Sequence, residues 1–247
     1  MSRSAKIARQ HLATLDLLGV DFIPVRAVDI ASPPAAPVRT SHELSPRVEP
    51  GEAIHLRQKL LDGLQERHER SCPHCTCATG HTRLVFGEGS PAAAVMFVGE
   101  APGEEEDRTG RPFVGRAGKK LDDMIKAMGL KREEVYIANI LKSRPPENRT
   151  PLPDEVEKCA PFLAEQIRII QPRVIVALGG PSSKFLLGTT VGITRIRGTW
   201  GAYVDGEIET PVMPTYHPAF LLRQYTEENR RKVWSDLQAV VARLAEG

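Results

Sequence analysis

The spacing of apolar positions changes several times along the 247-residue chain, and each change marks an expected element. Ile7, Leu12, Leu15 and Leu18 recur near helical spacing, which predicts a helix over residues 1 to about 25. The stretch VDIASPPAAPVRTSHELSPRVEPG then supplies prolines and serines with no period, the pattern of a flexible linker. Residues 1–50 thus read as an N-terminal helix and linker, and 51–247 as one domain. A second helix over about 52–70 leads into SCPHCTC. Beyond it the pattern alternates. Apolar runs AAVMFVG (93–99), VYIANI (135–140) and RVIVALG (173–179) predict strands, and helical periods predict helices over 115–128, over 153–170 and from 182 onward. A β-rich segment runs through Pro214, and a helix over about 227–245 closes the chain. Alternation of this kind predicts a three-layer α/β/α sandwich with a mostly parallel central sheet, and no internal repeat competes with that reading.

Composition adds less than the pattern does. With 41% hydrophobic and 26% charged residues the chain reads as globular, and no apolar run approaches the eighteen or so residues of a membrane span. The N-terminus lacks the apolar core of a signal peptide, so a cytoplasmic protein acting as a monomer, with no membrane partner, is expected. A net charge of +2 does not announce a nucleic-acid binder, so local clustering has to carry that argument.

In a parallel sheet, ligands gather where strands end and loops turn into helices. Three unusual segments fall there: GEAPGEEEDRTGRPFVG after the first strand, Asn139 at the end of the second, and TYHPAFLLR (215–223). Gly99 and Gly103 let backbone N–H groups approach a ligand closely. A phosphate cradle is one reading of these glycines, yet the Walker lysine is missing and five nearby acids would repel phosphate. A solvated acidic turn that starts a helix is another, and it leaves Phe113 unexplained.

GEAPGEEEDRTGRPFVGRAG, NILKSRPPENRTPLPDE and HPAFLLR, in this order, resemble the motifs of the family 4 uracil-DNA glycosylases, from about Cys72 to Leu244. The resemblance implies an enzyme that flips uracil out of DNA, hydrolyses the N-glycosidic bond of deoxyuridine and leaves an abasic site in base excision repair. It implies that Phe113 stacks on the base, and that Asn139 pairs with its N3–H and O4. Glu100 would oppose positive charge on the sugar, while backbone N–H groups of the 99–103 turn (Gly99, Ala101, Gly103) and His217 would donate to the departing base. His217 alone would read as a structural histidine; its setting in HPAFLL carries the catalytic role. Leu221 and Leu222 would form a wedge into the base stack with Arg223 near a phosphate, against the plainer reading of two core leucines. Family 1 enzymes carry an aspartate where this chain has Ala101, so carboxylate work shifts to Glu100, with Glu106 helping to hold water.

The same resemblance implies a [4Fe–4S] cluster on four cysteines. Cys72, Cys75 and Cys159 match three positions, while the fourth is Ser143. Cys77 or Ser143 could supply the last ligand. The alternatives are zinc on Cys72, Cys75, Cys77 and Cys159, with His74 or His81 in reserve, or no metal. Lys142, Arg144, Arg149, Arg195, Arg197 and Arg223 are candidate phosphate contacts on uracil-containing DNA, whereas Lys119, Lys120, Arg230, Arg231 and Lys232 read as solvated helix faces. No catalytic lysine marks a lyase, and LKSRPPENRT lacks a histidine for covalent capture. A protein that binds uracil-DNA with lost or redirected turnover is the alternative from another class.

Overall fold

Runs of fully buried residues make the middle of a six-stranded sheet. In the computed structural model, which describes residues 50–72 and 80–246, strands β2 (Val95–Gly99), β3 (Tyr136–Asn139) and β4 (Val174–Leu178) are buried along their whole length. A strand covered on both faces has no reason to alternate polar and apolar residues, and VMFVG and VIVAL do not. With β1 (Glu88–Gly89), β5 (Gly201–Asp205) and β6 (Ile208–Thr215) the order is β1-β3-β2-β4-β6-β5. The inner pairs β3-β2, β2-β4 and β4-β6 are parallel, and both edge strands run antiparallel to their neighbours. The predicted 1–49 elements, and residues 73–79 with His74, Cys75 and Cys77, lie outside the described residues.

Helices cover both faces, as the alternation predicts. Val95, Phe97 and Val176 point to a core shared with Leu121, Ile125 and Met124 of α3 (Arg116–Ala127) and with Val233, Leu237 and Val240 of α8 (Glu227–Ala245). Met96, Val98 and Ile175 point the other way, against Leu61 of α1 (Pro50–Ser71), Leu163 and Ile167 of α4 (Pro153–Ile170), and Leu186 of α5 (Gly180–Leu187). Helix α4 begins with Pro153, whose missing N–H costs nothing there, and Glu155 accepts the Leu152 N–H at 2.8 Å. Three short helices, α2 (Glu104–Thr109), α6 (Ile193–Ile196) and α7 (Pro218–Arg223), are too brief to show a period and are visible only in the structure.

One predicted phosphate contact is instead part of the fold. Arg197 bonds the carboxylate of Asp236 with two nitrogens and the Lys232 carbonyl at 2.6 Å, and the Thr215 hydroxyl donates to Asp236 Oδ2 at 2.6 Å. The network fastens α8 to the end of β6. Asp236→Ala would strand the half-buried guanidinium, so we expect a loss of about 3 kcal/mol, read as a lower urea midpoint with an unchanged slope. A midpoint equal to that of the parent would show that the network contributes nothing.

Candidate active site

The four parallel strands end together, and their ends form the floor of a cleft of about 700 Å³. Chain leaving β2 goes to α3 on one face of the sheet, whereas chain leaving β3 and β4 goes to α4 and α5 on the other. A crevice opens where the connections diverge, the usual ligand site of an open α/β sheet. Glu100, Phe113, Asn139, His217 and Arg223 all line it.

Register brings the first two ends into contact. Gly99 of β2 is paired with Asn139 of β3, and a Cβ at Gly99 would overlap Asn139 Oδ1 and lie 2.6 Å from Phe113 Cζ. Only glycine lets the amide and the ring meet over the strand end. Asn139 is 1% exposed, and its Oδ1 has no hydrogen-bond partner among the described residues. A buried amide acceptor without a partner costs about 1–3 kcal/mol, so an occupant of the cleft that donates to it recovers that loss.

Phe113 is held in an unusual conformation. Its φ is 51°, a left-handed value that costs a non-glycine residue about 1–3 kcal/mol. Several contacts sustain it. Glu106 Oε1 accepts from the N–H groups of Val114 and Gly115, both at 2.8 Å. Arg132 donates to the carbonyls of Phe113 (3.2 Å) and Pro112 (2.5 Å). A Cβ at Gly118 would overlap the Phe113 carbonyl, so α3 packs against this turn through bare backbone.

These bonds bear on two expectations. Both oxygens of Glu106 accept from backbone, the second from the Gly103 N–H at 3.2 Å, so Glu106 builds the loop while it also lines the cleft. The Gly103 N–H, being bonded to Glu106, is not offered to a base. Ala101 lines the cleft and also packs on the apolar group formed by Leu141, Cys72 and Cys159. Glu100 stands half-buried at the cleft wall, and burial raises its carboxyl above the ordinary range. It is the acid of the loop left facing the cleft without a role in holding the backbone.

His217 faces this group, its ring 5.6 Å from that of Phe113. It caps α7: Nδ1 accepts the Ala219 N–H at 3.1 Å, which puts the proton of the neutral ring on Nε2. Burial, then the charge of Arg223, lowers its pKa to about 4 against an opposing pull from Glu106. At neutral pH the ring is therefore an uncharged donor of fixed tautomer.

The later DNA candidates divide. Leu221 is 3% exposed within the core, and offers no surface to a base stack; Leu222 is half-buried and Arg223 exposed beside the cleft. Lys142 is fully buried, its Nζ donating to the Asn139 carbonyl (2.8 Å) and Gln166 Oε1 (2.5 Å), so it cannot meet a phosphate. It steadies the strand end that carries Asn139. Arg149 lines the cleft but is paired with Glu155 at 2.6 and 2.8 Å, and Arg144 bonds Asn148 Oδ1 at 2.8 Å. Arg195 is exposed.

Behind the loop that follows Gly99 lies a second group. His68 at the end of α1, Cys72 one turn later and Cys159 of α4 are buried, with ligand atoms within 4.8 Å of one another. The sequence reading missed His68, although HxxxC at a helix end was the available signal. Ser143 is also fully buried, and its hydroxyl has no hydrogen-bond partner among the described residues.

The buried His217 gives a pH signature. Between about pH 4 and 6.5 the unfolded chain binds more protons at this residue than the folded chain, so stability falls as pH falls through that window, by about 3 kcal/mol in full. Urea midpoints measured from pH 7 down to pH 4.5 should fall more steeply for the parent than for His217→Gln. Parallel curves would mean that the ring titrates as it does in the unfolded chain.

A sequence profile described as "Uracil DNA glycosylase superfamily" matches residues 86–238. The chain is 45% identical over 186 residues to a protein of Thermotoga maritima named "Type-4 uracil-DNA glycosylase", covering 75% of this chain and 95% of that protein. Identically named proteins of Sulfurisphaera tokodaii (45% over 185 residues, 70% of this chain and 84% of the relative) and Archaeoglobus fulgidus (42% over 186 residues, 70% and 88%) are similar to it. A sandwich whose strand ends gather Gly99, Asn139, Phe113 and His217, matched along most of its length by these relatives, belongs to the uracil-DNA glycosylase superfamily and to its type-4 family.

Proposed function

We propose that this chain hydrolyses the N-glycosidic bond of deoxyuridine in DNA, releasing uracil and leaving an abasic site. The observation that carries the reading is the unpartnered Asn139 Oδ1 beside Phe113 at the cleft floor. A flipped uracil stacks on Phe113, and Asn139 accepts from its N3–H while donating to O4. Cytosine offers an acceptor at N3 and a donor at N4, so the same amide meets it mismatched.

Cleavage leaves positive character on the sugar and negative charge on the base. His217, neutral and donating through Nε2, stabilises charge at O2 of the leaving uracil. Glu100 in its carboxylate form opposes charge at C1′ and takes a proton from the water that adds there. Because burial raises the Glu100 carboxyl, activity is lost on the acid side at a higher pH than for an exposed glutamate. Lys142, buried behind the strand end that carries Asn139, is committed to the Asn139 carbonyl and Gln166, which supports hydrolysis without a lyase step. Leu222 and Arg223 are the residues we assign to the opened duplex.

The relatives' family implies an iron–sulfur cluster, and the donors here fit a thiolate-bound centre in part. Cys72 and Cys159 are buried together; Cys75, which the family pattern adds to them, lies outside the described residues. Ser143 brings an oxygen where the family pattern has sulfur. Such a centre ties the end of α1 to α4 and, through Leu141 and Ala101, supports the loop after Gly99. It is structural, and no step of the hydrolysis passes through it.

Uracil release from a labelled duplex tests the reading: free uracil with an alkali-labile site is expected, and a retained complex without release would overturn it. Glu100→Gln should lower kcat by about a hundredfold or more with little change in uracil-DNA affinity, because it removes charge needed only in the transition state. Equal losses in binding and turnover would take Glu100 out of that role. Asn139→Asp should reduce the preference for uracil over cytosine by about tenfold or more in competing kcat/KM measurements. Unchanged selectivity in a folded variant would move the readout elsewhere.

A further inference from the structure

We propose that Gln166, on α4 behind the sheet, is a positioning residue for the reading of the base: through Lys142 it fixes the aim of the Asn139 carboxamide. Neither Gln166 nor Lys142 lines the cleft. The inference rests on the reading that Asn139 identifies uracil. Asn139 Oδ1 has no hydrogen-bond partner among the described residues, so the direction of this side chain depends on the backbone that carries it. That backbone is gripped from behind. Lys142 Nζ donates to the Asn139 carbonyl at 2.8 Å and to Gln166 Oε1 at 2.5 Å, and all three residues are buried.

The donors and acceptors settle which way the Gln166 amide points. A lysine ammonium only donates and a carbonyl only accepts, so Oε1 faces Lys142, while Nε2 donates to the Phe86 carbonyl at 3.0 Å and to the Tyr136 hydroxyl at 3.1 Å. One amide thus joins the end of β3 at Asn139, the start of β3 at Tyr136 and the segment over 85–87. That segment is held a second time. The Val85 N–H donates to the Lys142 carbonyl at 2.8 Å, and the Phe86 ring lies 5.5 Å from the ammonium. Space is reserved for the junction: a Cβ at Gly87 would stand 2.8 Å from the Tyr136 hydroxyl oxygen and 3.0 Å from Gln166 Nε2. An amide bonded at both ends resists rotation, because turning it would leave buried polar groups facing like partners. Without Oε1 the ammonium loses an acceptor and shifts, and the Asn139 peptide shifts with it. A displacement of about 1 Å at a positioned group is enough to cost a hundredfold in function.

Full-length protein is titrated with two duplexes that differ only in carrying 2′-fluoro-deoxyuridine or 2′-fluoro-deoxycytidine opposite guanine. The fluorine opposes positive charge on the sugar and blocks cleavage, so binding is read whether or not the protein releases a base. Gln166→Met keeps the length of the side chain and removes both of its hydrogen-bonding ends. It should weaken binding of the uracil duplex by about tenfold and leave the cytosine duplex within about twofold of the parent. In an Asn139→Ala background the same substitution should leave the ratio of the two affinities unchanged, because the group it positions is gone. Lys142→Met, which removes the donor to the Asn139 carbonyl, should repeat the selective loss, and covers the case in which Gln166→Met does not fold. Equal weakening of both duplexes, an unchanged ratio in a folded variant, or the same loss of ratio without Asn139 overturns the positioning role. A parent that binds the two duplexes alike overturns instead the base-reading role of Asn139 on which the inference rests.

Discussion

The missing Cβ at Gly99 is the constraint around which this site is built. The parallel register sets Gly99 beside Asn139, and the bare backbone there lets the amide oxygen and the Phe113 ring close over the strand end. Any side chain would push both apart, and the pocket would lose its stacking face and its polar edge together. The constraint spreads outward. Phe113 reaches that position only with a left-handed backbone, which in turn requires Glu106, Arg132 and Gly118 around it. A local saving of one methyl group thus organises some twenty residues of loop and helix.

The crowd of acids between Glu100 and Asp107 resolves into separate tasks. Glu106 gathers the N–H groups of Gly103, Val114 and Gly115, and Asp107 gathers those of Thr82 and Arg83 at 2.7 and 3.0 Å. Glu104 and Glu105 lie exposed in the first turn of α2, where the helix dipole favours negative charge. Carboxylates are suited to such loops because each can accept several backbone donors that no strand or helix satisfies. Glu100 lines the cleft, where burial raises its carboxyl.

Much of this was legible in the chain. Long buried runs and helical periods gave the layers, and the 153–170 helix was bounded as observed. Residue types at the strand ends gave the cleft. What the sequence could not convey was direction. Lys142, Arg197 and Leu221 are of the right kind to meet DNA, yet each turns inward, because a neighbour distant in sequence (Gln166, Asp236 or the α3 core) offers it a partner. His68 was overlooked for the opposite reason. It sits in a polar helix segment, and its meaning depends on Cys159, ninety-one positions away.

His217 joins two features usually separate in histidine-dependent sites. Elsewhere a carboxylate behind the ring often selects its tautomer; here a main-chain amide at the start of α7 does so. Burial is the largest influence on the ring and keeps it neutral, while the charges of Arg223 and Glu106 pull in opposite directions. The helix and the donor also share one fate. A proton gained at Nδ1 would uncap α7, the element that carries Leu222 and Arg223. Orientation of the ring is thereby inherited from the chain trace.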